Sequence, residues 1–197
     1  MLDKIAYFKD KPKLAEALDL VIVCVITLIV GLLLNHFIIL VGFVPSGSME
    51  NLIMTNDQIL ANRTAYWNEE PQRGDIVVFY APDEKAAGNT VHYVKRIIGL
   101  PGETVTIDQG LIYIDGKLLD ESAYLEFPTR SGDGEYKVPE GHYFMLGDHR
   151  TDSADSRVWR NKYVPLEDIQ GKVFLKYSLR LKNLHASWIS SYNDYNI

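Results

Sequence analysis

Three short stretches hold side chains that could do chemistry together. Pro45-Ser46-Gly47-Ser48-Met49 offers two hydroxyls, and Val94-Lys95-Arg96-Ile97-Ile98 sets a lysine in an apolar run. The third, Gly147–Arg157, reads GDHRTDSADSR and crowds short hydrogen-bonding side chains between charges. A serine hydroxyl is a weak nucleophile until a base takes its proton. Histidine is the usual base, and a structural or surface role is the commoner one for the histidines in strand-like runs. His36 lies in a long apolar stretch, His185 is near the C-terminus, and His92, His142 and His149 sit in or beside strand-like runs. No spacing favours a Ser-His-Asp triad.

Lysine is the alternative base. Period-two alternation puts Tyr93 and Ile97 on the same face as Lys95. Such a lysine is either solvated on an edge strand or turned into an apolar site. In an apolar site, desolvation disfavours the ammonium and lowers the pKa. From an ordinary value of about 10.4, a fall of two to three units would make it a competent base near pH 8. The Gly147–Arg157 stretch suits a rigid polar loop. It reads equally as a capped turn or a calcium loop, though the complete D-x-[DN]-x-[DN]-G…E pattern is missing. As a support, it would supply a hydroxyl and an ion pair to orient a buried lysine. Ser-Gly-Ser taken alone is an ordinary turn. Its interest is position, because Ser48 stands four residues beyond an apolar span and extended chain covers at most about 3.6 Å per residue.

The elements that must position these residues begin with that span. Leu20–Met49 holds no charged residue, and Leu20–Leu34 reads LVIVCVITLIVGLLL. About 20 helical residues cross a ~30 Å hydrocarbon core, so residues 20–44 are expected to form a transmembrane anchor. The stretch is longer than the core of a cleavable signal peptide, and no Ala-x-Ala site follows it closely. Lys4, Lys9, Lys11 and Lys13 precede it, which by the positive-inside rule makes 1–19 a cytoplasmic segment and places the rest on the far side. The first 44 residues are charge-neutral, so the net −6 of the 197-residue chain falls on the part after the anchor. That acidity leaves no basic footprint for nucleic acid. Cys24 is the single cysteine, which excludes a disulfide framework or a multi-cysteine metal site.

Beyond the anchor the chain reads as mainly β. Gln58–Asn62, Asp75–Tyr80, Val91–Ile98, Thr104–Asp108, Leu111–Ile114, His142–Leu146 and Gly171–Tyr177 are rich in Val, Ile, Tyr and Phe and are bounded by turn residues. Thr104–Leu119 has the look of a small meander, with Asp115-Gly116 suited to a type I′ turn. The domain is expected over 45–178, with 120–139 as a surface insertion and 179–197 as a tail without an assignable role.

Taken together, PSGSM at 45–49, RGDIVVF at 73–79, YVKRIIGLPGE at 93–103 and GD-x-R-x-x-S-x-DSR at 147–157 resemble the bacterial type I signal peptidases. These are membrane-bound serine proteases, also called leader peptidases, and the motifs stand in the family's order behind a single apolar span. The resemblance implies a catalytic domain of antiparallel sheets. It implies Ser48 as nucleophile, Lys95 as general base, and an oxyanion hole of the Ser46 hydroxyl with the Ser48 N–H. Ser153 matches a serine that hydrogen-bonds the lysine, Asp155 and Arg157 match a supporting ion pair, and Asp148 and Arg150 resemble further structural members of the loop. Val44, Met49 and Val94 are expected to line shallow pockets for small side chains at positions −1 and −3 of a signal peptide. The implied partners are preproteins, the lipid bilayer and the secretion translocon; no cofactor or metal is called for. The chain departs from the family pattern at Asn51-Leu52, where Pro-Thr is common, at His149 for Asn, at Thr151-Asp152 for Asp-Asn, and at Arg160 for Gly. Three rivals are a non-catalytic membrane-anchored β scaffold, a self-cleaving Ser/Lys regulator and a sortase-like transpeptidase. The regulator would need a DNA-binding segment, and the transpeptidase an exported cysteine.

Overall fold

Helix α1 spans Pro12–Phe37. Proline at its first position carries no N–H that the helix would leave unpaired. The computed structural model describes residues 12–125, 132–180 and 183–189. Lys4, Lys9 and Lys11, residues 126–131 of the expected insertion and 190–197 of the tail lie outside the described residues. Within α1, Glu16–Leu34 is long and apolar enough to cross a bilayer. Leu20, Val21, Ile22, Val23, Val25 and Ile26 are all exposed, so no single stripe is apolar. A helix apolar all round fits a transmembrane helix.

The helix is shifted from the expected 20–44. It starts eight residues earlier and ends at Phe37, and strand β1, Ile39–Phe43, takes the remaining apolar residues. Leu40 and Val44 are buried in a protein core. Nothing polar separates the two elements, because a core-facing strand and a lipid-facing helix have the same composition. Gly42 marks the change: a Cβ there would lie 3.1 Å from Ile59 Cγ1, so its hydrogen lets β1 sit close to its neighbour. The chain divides accordingly into two units, one ending at Ile39 and one running from Leu40.

The second unit is built of antiparallel strands: β2 Gln58–Asn62, β3 Ile76–Tyr80, β4 His92–Gly99, β5 Thr104–Asp108, β6 Leu111–Ile114, β7 Lys117–Leu118, β8 Gly134–Lys137, β9 His142–Leu146, β10 Tyr163–Pro165, β11 Ile169–Arg180 and β12 Asn183–Trp188. A five-residue helix, Pro82–Ala86, and a 3₁₀ turn at Leu166–Asp168 interrupt them. One sheet runs β1-β2-β11-β3-β4-β9-β10, with β12 also on β11; the other runs β7-β6-β5-β8. The expected meander is β5-β6-β7, turning at Asp115 and Gly116 with φ of 49° and 79°. The 120–139 stretch is not wholly an excursion, because β8 pairs with β5. Nor does the unit stop at 178, since β11 continues to Arg180 and pairs with β12.

The large sheet is covered on both faces, which explains the unbroken apolar run in β3. Ile76 and Val78 join Leu40, Val44, Met49, Ile53, Ile59, Ala61 and Val173. Their alternates Val77 and Phe79 join Ile97, Tyr143, Met145, Trp159 and Val164. A third cluster, with Ile98, Val105, Ile107, Ile112 and Phe144, lies between the sheets. Gly99 permits that junction, because a Cβ there would stand 2.5 Å from Val105 Cγ2.

Candidate active site

Met49 and Ile53, both buried, peg the segment after β1 onto the Ile76/Val78 face, and this fixes the turn between them. The Glu50 N–H donates to the Gly47 carbonyl at 2.9 Å and the Ile53 N–H to the Met49 carbonyl at 2.8 Å. Ser48 sits inside this turn, half-buried. Asn51 follows with φ of 92°. Proline, the common family residue there, is locked near −65° and could not adopt that angle; the departure at Asn51 therefore goes with a local backbone path that proline does not share.

Lys95 is central in β4, opposite Val77, and is 4% exposed. Its Nζ is hydrogen-bonded to Ser48 Oγ at 2.6 Å and donates to the Val94 carbonyl at 3.1 Å. Tyr93 lies on the same face, with Nζ 5.6 Å from the ring centroid. Burial pushes the Lys95 pKa down to about 8, against the attraction of Asp155 and Asp148. At that value about half the molecules carry a neutral amine at pH 8. A neutral amine can donate to Val94 while its lone pair faces the serine hydroxyl.

The Gly147–Arg157 loop brings the remaining expected residues around this pair. Asp148 accepts from Arg96 Nε at 2.8 Å and Nη2 at 2.7 Å, a buried bidentate pair. Arg96 adjoins Lys95 in β4, donates also to the Gly74 carbonyl and lies 3.9 Å from the Tyr124 ring centroid. Arg150 donates through Nε to the Gly147 carbonyl at 2.9 Å and pairs with Glu121. Asp155 holds Arg157 through two contacts of 2.7 Å and accepts from the Gly147 N–H at 3.1 Å. Ser46 Oγ is 3.4 Å from Ser48 Oγ.

Two expectations meet a different arrangement. Ser153, expected to hydrogen-bond the lysine, has a buried Oγ with no hydrogen-bond partner, while Lys95 is taken by Ser48 and Val94. Val44 and Met49 are buried at 5% and 1% exposure, so only Val94 of the three expected pocket residues is partly open. Arg96, Glu121 and Tyr124 were not singled out from the sequence. Arg96 carried a signal: alternation puts it on the face opposite Lys95 in an apolar strand, where a charge requires a partner. Glu121 carried none, because its partner is 29 residues away.

The sequence pattern of the family described as Signal peptidase, peptidase S26 matches residues 17–178. The chain belongs to that family. By that membership it is a peptidase. Among its relatives is the probable signal peptidase I-2 of Synechocystis sp., 36% identical over 170 residues, covering 86% of this chain and 77% of that one. Signal peptidase I S of Bacillus subtilis is 37% identical over 143 residues, covering 68% of this chain and 74% of that protein. A solved signal peptidase I from Enterococcus faecalis V583 is 34% identical, with TM-score 0.42, covering 53% of this chain and 97% of that one. The peptidase S26 match ends at 178, so β12 lies beyond it.

Proposed function

We propose that the chain is a membrane-anchored type I signal peptidase that cuts N-terminal signal peptides from exported preproteins by a Ser/Lys dyad. The observation that carries the reading is the 2.6 Å hydrogen bond between Ser48 Oγ and a buried lysine whose pKa is low. Membership of the signal peptidase family supplies the substrate class. In this mechanism the neutral Lys95 amine takes the Ser48 proton as Oγ attacks the scissile carbonyl carbon. The oxyanion is held by the Ser48 N–H and the Ser46 hydroxyl. Lys95, now an ammonium, returns its proton to the leaving amine, and an acyl-enzyme remains. A water then loses a proton to Lys95, attacks the ester carbon, and frees Ser48 and the new carboxylate.

Asp148, Asp155, Arg157 and Arg150 act as supports, holding β4 and the loop in one geometry. Asp148 and Asp155 also raise the Lys95 pKa, which keeps it near the working pH instead of far below. Ser153, with its free lone pairs, would accept from the ammonium that appears during acylation. The preprotein would bind extended, as an added strand, with the partly open Val94 as an apolar wall against small side chains at −1 and −3 and the buried Val44 and Met49 in the core cluster it packs against. Helix α1 would anchor the chain, with the β unit on the outer side of the membrane, where preproteins emerge from the translocon. The test is cleavage of a preprotein in detergent or liposomes by wild type, Ser48→Ala and Lys95→Ala. Cleavage after an Ala-x-Ala site by wild type alone is the expected result. Cleavage that survives Lys95→Ala would overturn the dyad, and a well-folded wild type that cuts nothing would overturn the function.

A further inference from the structure

His149 stands between two residues held by ion pairs. Asp148 is locked to Arg96 in a buried pair and Arg150 to Glu121 in a part-buried one. From this fixed point His149 reaches the Ser48 turn twice. Its backbone N–H donates to the Ser48 carbonyl at 3.1 Å, and its ring Nδ1 lies 3.2 Å from the Gly47 carbonyl. A carbonyl oxygen can only accept, so in this contact the ring N–H is the donor, and the carboxylate of Glu50 lies 3.8 Å from the same nitrogen. Glu50 is itself held by the Thr55 hydroxyl at 2.7 Å. It lies over Gly47 so closely that a Cβ on Gly47 would be 2.8 Å from its carboxyl carbon. The Gly47 carbonyl thus receives both the Glu50 N–H that closes the turn and the His149 ring.

The same loop therefore holds both members of the dyad: β4 through Asp148 and Arg96, and the serine turn through His149. We propose that His149 is a positioning residue, whose ring sets the Ser48 turn at hydrogen-bonding distance from Lys95. This rests on the reading of Ser48 as the nucleophile. Because the backbone bond to Ser48 survives substitution, a side-chain variant isolates the contribution of the ring. A shift of the nucleophile by a fraction of an ångström lowers the rate of attack and leaves substrate binding alone.

The experiment compares the full-length wild type with His149→Ala, His149→Gln and His149→Asn in detergent. The readouts are kcat and KM for preprotein cleavage and amide hydrogen exchange across residues 47–50. Asparagine carries an N–H close to the place of Nδ1, whereas glutamine carries it one carbon too far. The expected result is a kcat about tenfold lower for His149→Ala and His149→Gln, with KM within about twofold, and most of the loss restored in His149→Asn. Exchange at 47–50 should quicken in the alanine variant and return toward wild type in the asparagine variant. Unchanged kcat, a loss confined to KM, or an asparagine variant no better than alanine would overturn the proposal. If the wild type itself cuts no preprotein, the nucleophile reading fails. The exchange data then decide the positioning contact: faster exchange in His149→Ala supports it, and unchanged exchange sinks it.

Discussion

Replacing Lys95 by methionine should make the folded protein more stable at neutral pH, and by an amount that depends on pH in a defined way. Lys95 is 4% exposed, and burial lowers its pKa from 10.5 to about 8. Between those values the unfolded chain holds a proton that the folded protein does not, so stability rises with pH across that window. Below it both states are protonated and the folded state carries the full cost of a buried ammonium. At about 1.4 kcal/mol per pH unit this cost is about 3 kcal/mol at pH 7, about 2 at pH 9 and under about 1 at pH 10. Methionine has similar length and no charge, so the advantage of Lys95→Met should shrink along that curve. For a domain of this size it corresponds at pH 7 to a rise in Tm of roughly 6–12 °C. The assay is urea unfolding of both full-length proteins in detergent at pH 6 to 10, followed by tryptophan fluorescence. A stability difference that does not change with pH would refute the claim that burial depresses Lys95, and with it the physical basis of the base.

The rate of preprotein cleavage should climb about tenfold per pH unit well below pH 8 and level off above it, as Lys95 loses its proton; a flat profile from pH 5 to 10 would exclude a lysine base. Gly147→Ala should lower the cleavage rate at least about 100-fold, because a Cβ there collides with Ser153 Oγ and the Ser48 carbonyl, and wild-type initial rates would contradict that packing. Asp148→Ala leaves the buried Arg96 guanidinium without its carboxylate and should cost about 3–5 kcal/mol in denaturant titration. An unfolding midpoint equal to wild type would show that the pair is not needed.

How much was legible in the sequence depended on the range of the interaction that decides it. Gln58–Asn62, Thr104–Asp108, Leu111–Ile114 and His142–Leu146 were readable to the residue, because alternation and turn chemistry are local. β1 was hidden by composition, following directly in sequence on an apolar helix with no polar boundary. β8 was hidden because its mostly exposed, polar residues pair with β5, some thirty residues earlier in the chain, and β12 because its sequence carries no clear alternation although it pairs with the strand just before it. At the site, Ser48 and Lys95 could be named from their motifs. The reason they meet could not, since Asp148 and Arg96 are 52 residues apart and Glu121 lies in a stretch read as a surface insertion. Nor could the sequence distinguish a Ser153 that bonds Lys95 from one whose buried hydroxyl has no hydrogen-bond partner.

The strand order sets when this enzyme can first exist. β2 and β3 are neighbours along the chain, yet β11 lies between them in the sheet. A nascent chain that has emerged only as far as the loop at 147–157 has made nearly all of the residues discussed for catalysis but lacks the strand that joins the two halves of the sheet. Its β2 and β3 edges stay open, and closing them requires pairings from Phe79 with Ile169 to Gln58 with Tyr177, far apart in the chain, which slows folding. The sheet that carries Lys95 is therefore expected to close, and activity to appear, only once β11 has been delivered as far as Tyr177. A chain ending before Ile169 should show no activity, although every residue of the proposed dyad and its proposed supports is present.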